Sequence, residues 1–399
     1  MDIDPFDLNL RHLAAAAAMA ARGSMAAASA AVGISQPALT QGLAKLERQL
    51  GVHLFERQPD GMAATPAGAT IARRTRAALD HLARAVRASP RAFASPENIM
   101  TATQLRAFLA VADAVSFAGA ARASGASQPA LHRAVRELEQ VCGLPLVERR
   151  GRSVGITPAG HRLARGARLA RAEFAAAIEE ANPRDEGGGR IIVGAMPLSR
   201  AFVLPYAIAA FAKASPGAHV EVIEGSWREL VDPLRDGILD LMIGALRDVP
   251  PENVVQEPLL VDRLSIIGRA GHPLAGSQPA TGEALAGFPW IVGQTGTPLR
   301  AQWEKLFDGS TLPNAPVECG SVMVIREVLR HSDFLALVSP DQVALELKAG
   351  VLASVGPSLA HSTRTIGISH RADWHPTPAQ GRFLNLLRDA ASAPGISEI

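Results

Sequence analysis

The chain has 399 residues, 48% of them hydrophobic, which leaves room for several domains. Its longest alanine-rich apolar run, residues 13–21, is too short to span a bilayer and follows Asp2, Asp4 and Asp7 rather than a basic stretch. This excludes a signal peptide or membrane anchor and predicts a cytoplasmic protein. Two cysteines, Cys142 and Cys319, exclude a disulfide framework and have no metal-ligand spacing, so a cofactor or metal is not expected. The net charge of +2 conceals an asymmetry: residues 1–182 hold 22 Lys+Arg against 15 Asp+Glu, and the remainder 18 against 23. A basic N-terminal half is the electrostatic footprint of a nucleic-acid module, and one tyrosine in the whole chain argues for duplex DNA over a stacked single strand.

Segment 24–68 returns without insertion or deletion 92 positions later as 116–160, identical at 20 of 45 positions. In the first copy Ser35 is placed to cap a helix whose first turn tolerates Pro37; Ser127 and Pro129 repeat this. Leu39, Leu43, Leu46 and Leu50 then fall on one helical face, matched by Leu131, Val135, Leu138 and Cys142, so that face is buried. The opposite face begins with Gln36, Thr40 and Gln41, or Gln128, His132, Arg133 and Arg136, side chains able to donate to phosphates or base edges. An alanine-rich helix and a glycine turn (Gly33, Gly125) precede each of these helices, giving the helix-turn-helix plan. Leu54 to Arg57 and Leu146 to Arg149, each followed by about seven loop residues, predict a short hairpin or wing, with Arg57, Arg149 and Arg150 as candidate phosphate contacts.

Each copy runs into a long predicted helix, 66–88 and 158–181, the first followed by a linker over 90–98. On the second, Leu163, Ala167, Ala170, Phe174 and Ile178 form the seam of a helix pair. Arg162, Arg165, Arg168 and Arg171 form a basic band, read as a solvated face balanced by Glu173, Glu179 and Glu180. Three glycines at 187–189 read as a flexible boundary rather than a nucleotide loop. Beyond them strands alternate with helices: strands at 190–194, 220–224, 239–244, 264–268, 290–292, 317–318, 335–338 and 364–369, with helices at 202–213, 228–236, 299–307, 324–330 and 378–390. Strand–helix–strand units predict an α/β sheet with parallel crossovers, and two such groups predict a hinged, two-lobed binding domain.

The phrases Ser-Phe-x-x-Ala-Ala, Ser-Gln-Pro-Ala, Leu-Glu, Leu-Phe-x-Arg and Thr-Pro-Ala-Gly resemble the winged helix-turn-helix of LysR-type transcriptional regulators. The C-terminal half resembles the periplasmic-binding-like (type 2) effector domain of that family, and residues 194–200, 239–247, 272–275 and 371–374 resemble its galactose-binding-protein regulator branch. Two modules depart from the family's usual single one; Ala16 stands where the second copy has Phe108, and His132 where the first has Thr40, leaving open which copy reads DNA. The resemblance implies a multidomain chain: winged modules at 1–65 and 99–157, linker helices at 66–98 and 158–189, and an effector domain at 190–399, with lobes at about 190–258 plus 370–399 and about 269–358. It further implies a linker-helix homodimer or homotetramer on promoter DNA, contact with RNA polymerase, and control by a small-molecule effector, a sugar or sugar acid or else an aromatic acid.

Ligands in such sheets sit beyond strand carboxyl ends, where helix N-termini offer free N–H groups. Ser199, Gly225 with Ser226, and Thr295-Gly296-Thr297 occupy such loops, and Arg247 is a candidate for a carboxylate. Each hydroxyl is equally read as a helix cap. Of the four tryptophans, 227, 290, 303 and 374, at least three are read as core. No hydrolase elbow, zinc-protease pair or Walker loop points to an enzyme. The alternative reading is a small-molecule sequestering protein whose helix-turn-helix copies serve oligomerisation.

Overall fold

The computed structural model describes all residues except 1–2, 60, 88–94, 151–152, 183–187, 198, 200–202, 277–280, 357–358, 360–361 and 393–399, together with all but the side chains of Arg150 and Ser153. Most of the linker expected over 90–98, and Gly187 of the three glycines read as a flexible boundary, therefore lie outside the described residues, while Gly188 and Gly189 form the start of a strand instead of a flexible link. Residues are grouped in two units, the first spanning 1–189 with the short stretch 235–238, the second the rest.

In the first unit, α1 (Leu10–Arg22), α2 (Met25–Val32), α3 (Gln36–Leu50), the hairpin β1 (Phe55–Gln58) and β2 (Gly61–Ala64), and α4 (Pro66–Ala85) make one copy. The other is α5 (Ala102–Ala114), α6 (Phe117–Ser124), α7 (Gln128–Cys142), β3 (Val147–Arg150) and β4 (Ser153–Ile156), then α8 (Pro158–Ala181). The residues that the copies share are the ones that build these elements. Ser35 and Ser127 accept from the backbone N–H of Ala38 and Ala130, starting α3 and α7. Glu47 reaches forward to the N–H of Leu54 (2.7 Å), and Glu139 to that of Leu146 (2.8 Å), tying the helix to the start of the hairpin. Thr65 and Thr157 cap α4 and α8 while donating to the carbonyls of His53 and Pro145. Three residues on, a Cβ at Gly68 or Gly160 would fall 1.9 or 2.1 Å from the carbonyl oxygen of Leu54 or Leu146, so no other residue fits there. The apolar faces meet as expected: Leu39, Leu46, Leu131 and Leu138 are buried, each stabilising by about 1.5–3 kcal/mol relative to exposure. Ala16 and Phe108 are both fully buried despite their difference in size.

One core runs through both copies. Its spine is α4 packed antiparallel on α8: Arg74 meets Glu173 and Glu180, and further along Ala85 meets Gly166. The seam of Leu163, Ala167, Ala170 and Phe174, which the implied linker-helix dimer would place between two chains, is fully buried inside this one, with Ile178 packed at its margin. The sequence reading of the basic band changes in the same way. Arg168 and Arg171 pair with Asp113 and Asp4, whereas Glu173 and Glu180 are turned inward to Arg74. A seven-residue acidic spacing on α8, facing a buried arginine 99 residues earlier, was invisible to a single-helix reading.

The second unit holds two five-stranded sheets, each with its own core. The strands and helices are β5 (Gly188–Ala195), α9 (Val203–Ala214), β6 (Gly217–Glu224), α10 (Trp227–Arg235), β7 (Leu241–Ala245), β8 (Val254–Arg263), β9 (Ser265–Arg269), α11 (Gly282–Ala286), β10 (Trp290–Val292), α12 (Pro298–Lys305), β11 (Val317–Glu318), α13 (Val322–Arg330), β12 (Leu335–Val338), α14 (Ala344–Lys348), β13 (Leu352–Ser354), β14 (Thr363–Arg371) and α15 (Pro378–Ser392). Sheet orders are β6-β5-β7-β14-β8 and β11-β10-β12-β9-β13. Both are mixed: β5 runs parallel to β7, while β14 runs antiparallel to β7 and β8. The chain crosses between sheets at β8–β9 and returns from β13 to β14. Phe211 packs edge-on against Phe383 in one core, and Trp290, Trp303 and Phe307 cluster in the other. Strand β8 is absent from the sequence reading because Pro258 interrupts it; the structure accommodates that proline by placing β8 at the sheet edge, with a register shift beside it.

Candidate nucleic-acid interface and ligand cleft

In the first unit, α3 exposes Ser35, Gln36, Pro37, Thr40 and Gln41, and α7 exposes Ser127, Gln128, Pro129, Arg133 and Arg136. These residues lie opposite the buried leucines of each helix, leaving the two N-terminal faces available. Thr40 returns its hydroxyl to the carbonyl of Gln36 (3.0 Å). His132 differs: it is half-buried and stacks on Phe117 at 3.6 Å with an 18° interplanar angle, so one face of its ring is occupied by α6. Arg57 and Arg149 stand exposed on the first strands of their hairpins; the side chain of Arg150 is outside the described residues. Cys142 belongs to the buried seam, and burial, reinforced by Glu139, pushes its thiol up to about 11, which removes it from thiolate chemistry.

In the second unit the predicted ligand residues divide. Arg247, Gly296 and Thr297 come together, with Pro298, Arg300, Ala301 and Glu304, around an open cleft of about 310 Å³ between the end of β7 and the start of α12. Gly296 takes φ +78°, and a Cβ there would lie 3.4 Å from the Arg228 guanidinium. Arg247 lies over the Trp227 ring at 5.1 Å; burial lowers its pKa first and the like charge of Arg228 lowers it further, while Asp248 opposes both. Among the described residues neither Arg228 nor Arg247 has a carboxylate within ion-pairing distance, in contrast to Arg300, which holds Glu304 and Glu318. Thr297 accepts from the N–H of Arg300 and donates to the carbonyl of Gln294, so its hydroxyl caps α12.

The other candidates serve their own turns. Ser199 is buried and donates to the Met196 carbonyl (2.8 Å). Ser226 donates through both N–H and hydroxyl to Glu229, and those two bonds hold the Glu229 carboxyl below its ordinary range. Gly225 donates its N–H to Ala195, and Thr295 donates its hydroxyl to Glu318. Sequence reasoning missed Arg228 and Arg300; their signal was the spacing of Arg228 one residue beyond Trp227 and of Arg300 in the first turn of α12. Trp290 and Trp303 are core and Trp374 packs against the other core, whereas Trp227 supports Arg247.

Comparison with known proteins follows the same division. Residues 10–69 and again 102–161 match the family described as bacterial regulatory helix-turn-helix protein, lysR family, and residues 184–392 match the LysR substrate binding domain. The HTH-type transcriptional regulator GalR of Pseudomonas putida is 30% identical over 384 residues, covering 95% of this chain and 96% of its own. The regulator PcaQ of Agrobacterium fabrum is 28% identical over 293 residues, 72% of this chain and 94% of its own. Among solved structures, a full-length OxyR variant from Pseudomonas aeruginosa shares the fold with a TM-score of 0.56 at 24% identity over 73% of this chain and 94% of its own. ArgP from Mycobacterium tuberculosis shares it at 0.59 and 19% over 73% and 97%. Expectations of a DNA-binding, effector-binding regulator are thereby met: the chain belongs to the LysR family of transcriptional regulators.

Proposed function

We propose that both copies act as winged helix-turn-helix heads on duplex promoter DNA, and that the cleft at Arg247 takes a small organic acid whose binding shifts the two lobes of a type 2 periplasmic-binding-like domain. The DNA reading is carried by the two exposed polar helix faces, each beside a hairpin with an outward arginine. Helix faces of this kind enter the major groove while the hairpin cations meet phosphates. The effector reading is carried by Gly296 at the N-terminus of α12, which the Arg228 guanidinium approaches and which lines one cleft with Arg247. A carboxylate is the group that two guanidiniums and a helix N-terminus hold best, which favours a sugar acid or an aromatic acid over a neutral sugar. The ligand acts only through its differential affinity for the two lobe arrangements. Homodimer or homotetramer assembly, contact with RNA polymerase and a cytoplasmic location complete the proposal. Among the described residues no single helix is long and apolar enough to cross a membrane.

The test is a DNase footprint on the gene's own upstream DNA, with and without a sugar acid or a benzoate-class acid. Gln36→Ala/Arg57→Ala and Gln128→Ala/Arg149→Ala should each weaken protection, and Arg247→Ala should abolish the acid-dependent change while keeping acid-free binding. Loss with only one pair would make the other head structural, and no protection by the intact protein would overturn the DNA reading.

A further inference from the structure

Arg74 and Gly166 are equivalent positions of the two copies, 92 residues apart, and so are His81 and Glu173. In the antiparallel α4–α8 pair these four make two contacts related by a pseudo-two-fold, and the contacts are chemically unlike. On one side Arg74, 2% exposed, bonds Glu173 at 2.9 Å and also Glu180. On the other a Cβ at Gly166 would come within 2.6 Å of the Ala85 Cβ and 2.9 Å of the His81 carbonyl oxygen, so only glycine permits the approach. Pairing α4 with a second α4 would set Arg74 opposite His81, with no carboxylate and no glycine. Pairing α8 with a second α8 would set Glu173 opposite Gly166, with no cation. Each like pairing strands a buried charge, and the unlike pairing satisfies both.

The segments leading into the copies are exchanged with the same symmetry. Residues 5–7 pack on α5 and α8, and residues 96–98 pack on α1 and α4. Arg106 holds Asp7 at 2.7 Å, Arg171 holds Asp4 at 3.2 Å, and Arg11 donates to the Asn98 carbonyl at 2.8 Å.

We propose that one chain is a complete reading pair: α4 and α8 select each other within the chain, and its heads read two unlike half-sites in a single fixed order. This rests on the reading that both heads bind DNA. Operator symmetry mirrors protein symmetry, and here the two-fold relation holds for the backbone plan but not for the reading residues. α3 offers Gln36, Thr40, Gln41 and Ala44, while α7 offers Gln128, a stacked His132, Arg133 and Arg136. Arginine favours guanine edges and glutamine adenine edges, so the α7 half-site is the more guanine-rich.

Selection from a random duplex library with the intact full chain should yield two unlike half-sites. Thr40→His/Gln41→Arg/Ala44→Arg, which gives the exposed face of α3 the residues of α7, should convert the selected motif to an inverted repeat of the α7 half-site. A palindrome selected by the intact chain, or a single half-site altered only by changes in α7, overturns the inference. Absence of any selected sequence overturns the DNA reading itself, and this inference with it. Pairing within the chain is read separately. A chain with Gln36→Ala/Gln41→Ala and one with Gln128→Ala/Arg133→Ala, each weakened about tenfold or more on the complete site, should stay weakened when unfolded and refolded together. Recovery of intact affinity in the mixture would show exchange of heads between chains and refute pairing in cis.

Discussion

Arg74→Met removes a guanidinium from the interior of the first unit while keeping most of its volume. Burial works against the charge of Arg74, but the hydrogen bonds it donates to Glu180 and Glu173 outweigh it, so the native site is built around a cation. Without that cation, Glu173 and Glu180, each with a side chain 9% exposed, stay desolvated; among the described residues Glu180 keeps the ion pair with Arg73, whose side chain is half exposed. Removing one partner of a buried pair costs about 3–5 kcal/mol, and the residual Arg73 contact puts the expected loss near the middle, about 4 kcal/mol. For a unit of this size that corresponds to a fall in Tm of about 10 °C. The assay has an internal control, because all four tryptophans lie in the second unit. Far-UV circular dichroism should show the early transition of the first unit, and tryptophan fluorescence should not move. Arg74→Met/Glu173→Leu/Glu180→Met, which removes all three charges, should regain most of the loss. A circular-dichroism shift below about 3 °C for the single variant would mean that the network is worth no more than a surface ion pair, and the specificity argued for the α4–α8 pair would fail with it.

Val115 ends α5 at φ +49°, where the first copy has Gly23 at φ +65°. A β-branched residue there costs about 1–3 kcal/mol and glycine loses about 0.5–1 kcal/mol of unfolded-state entropy, so Val115→Gly should stabilise the first unit by about 1 kcal/mol in the same melt; a lower Tm would refute the strain. Burial lowers the pKa of His272 from the ordinary 6.5 and Arg269 adds to this, against the Asp333 carbonyl and carboxylate. The unfolded chain therefore takes up the proton first: stability from this group is complete above pH 6.5 and declines as pH falls below it. Tryptophan-monitored stability should drop over that window in the parent and less in His272→Gln; equal slopes would assign the drop elsewhere. Arg57→Ala should weaken all duplexes alike and reduce the salt slope by about one unit, and a loss confined to one sequence would contradict a phosphate contact.

The first unit was legible because its signals are local. Serine before proline, leucines at helical spacing and a glycine turn act within a few residues, and α3, α7 and α8 begin where those signals put them. The edge strand β8 was hidden because Pro258 argues against a central strand and nothing in the sequence marks an edge. Hydroxyls after strands were legible as helix caps or ligand groups without distinction, and geometry separates them: Ser199 and Ser226 are spent on Met196 and Glu229, while the Arg228 guanidinium approaches Gly296 and Arg247 lines the same cleft as that glycine. The seam on α8 was correctly read as buried, but periodicity says that a helix has a partner without saying which helix it is.

The partner's identity lies in the differences between the copies rather than in their likeness. Shared residues, Ser35/Ser127, Glu47/Glu139, Thr65/Thr157 and Gly68/Gly160, cap helices and tie hairpins, work that each head needs alone. Residues that differ include those on two surfaces, the exposed faces of α3 and α7 and the contact of α4 with α8. In a dimer of identical chains any residue chosen for one side of a two-fold appears on the other as well. Arg74 could not then face a glutamate while its equivalent is a glycine pressed on a carbonyl. Carrying both heads on one chain removes that constraint, and it frees the reading faces in the same stroke: once α4 and α8 distinguish the heads, each can be fitted to its own half-site without altering the other.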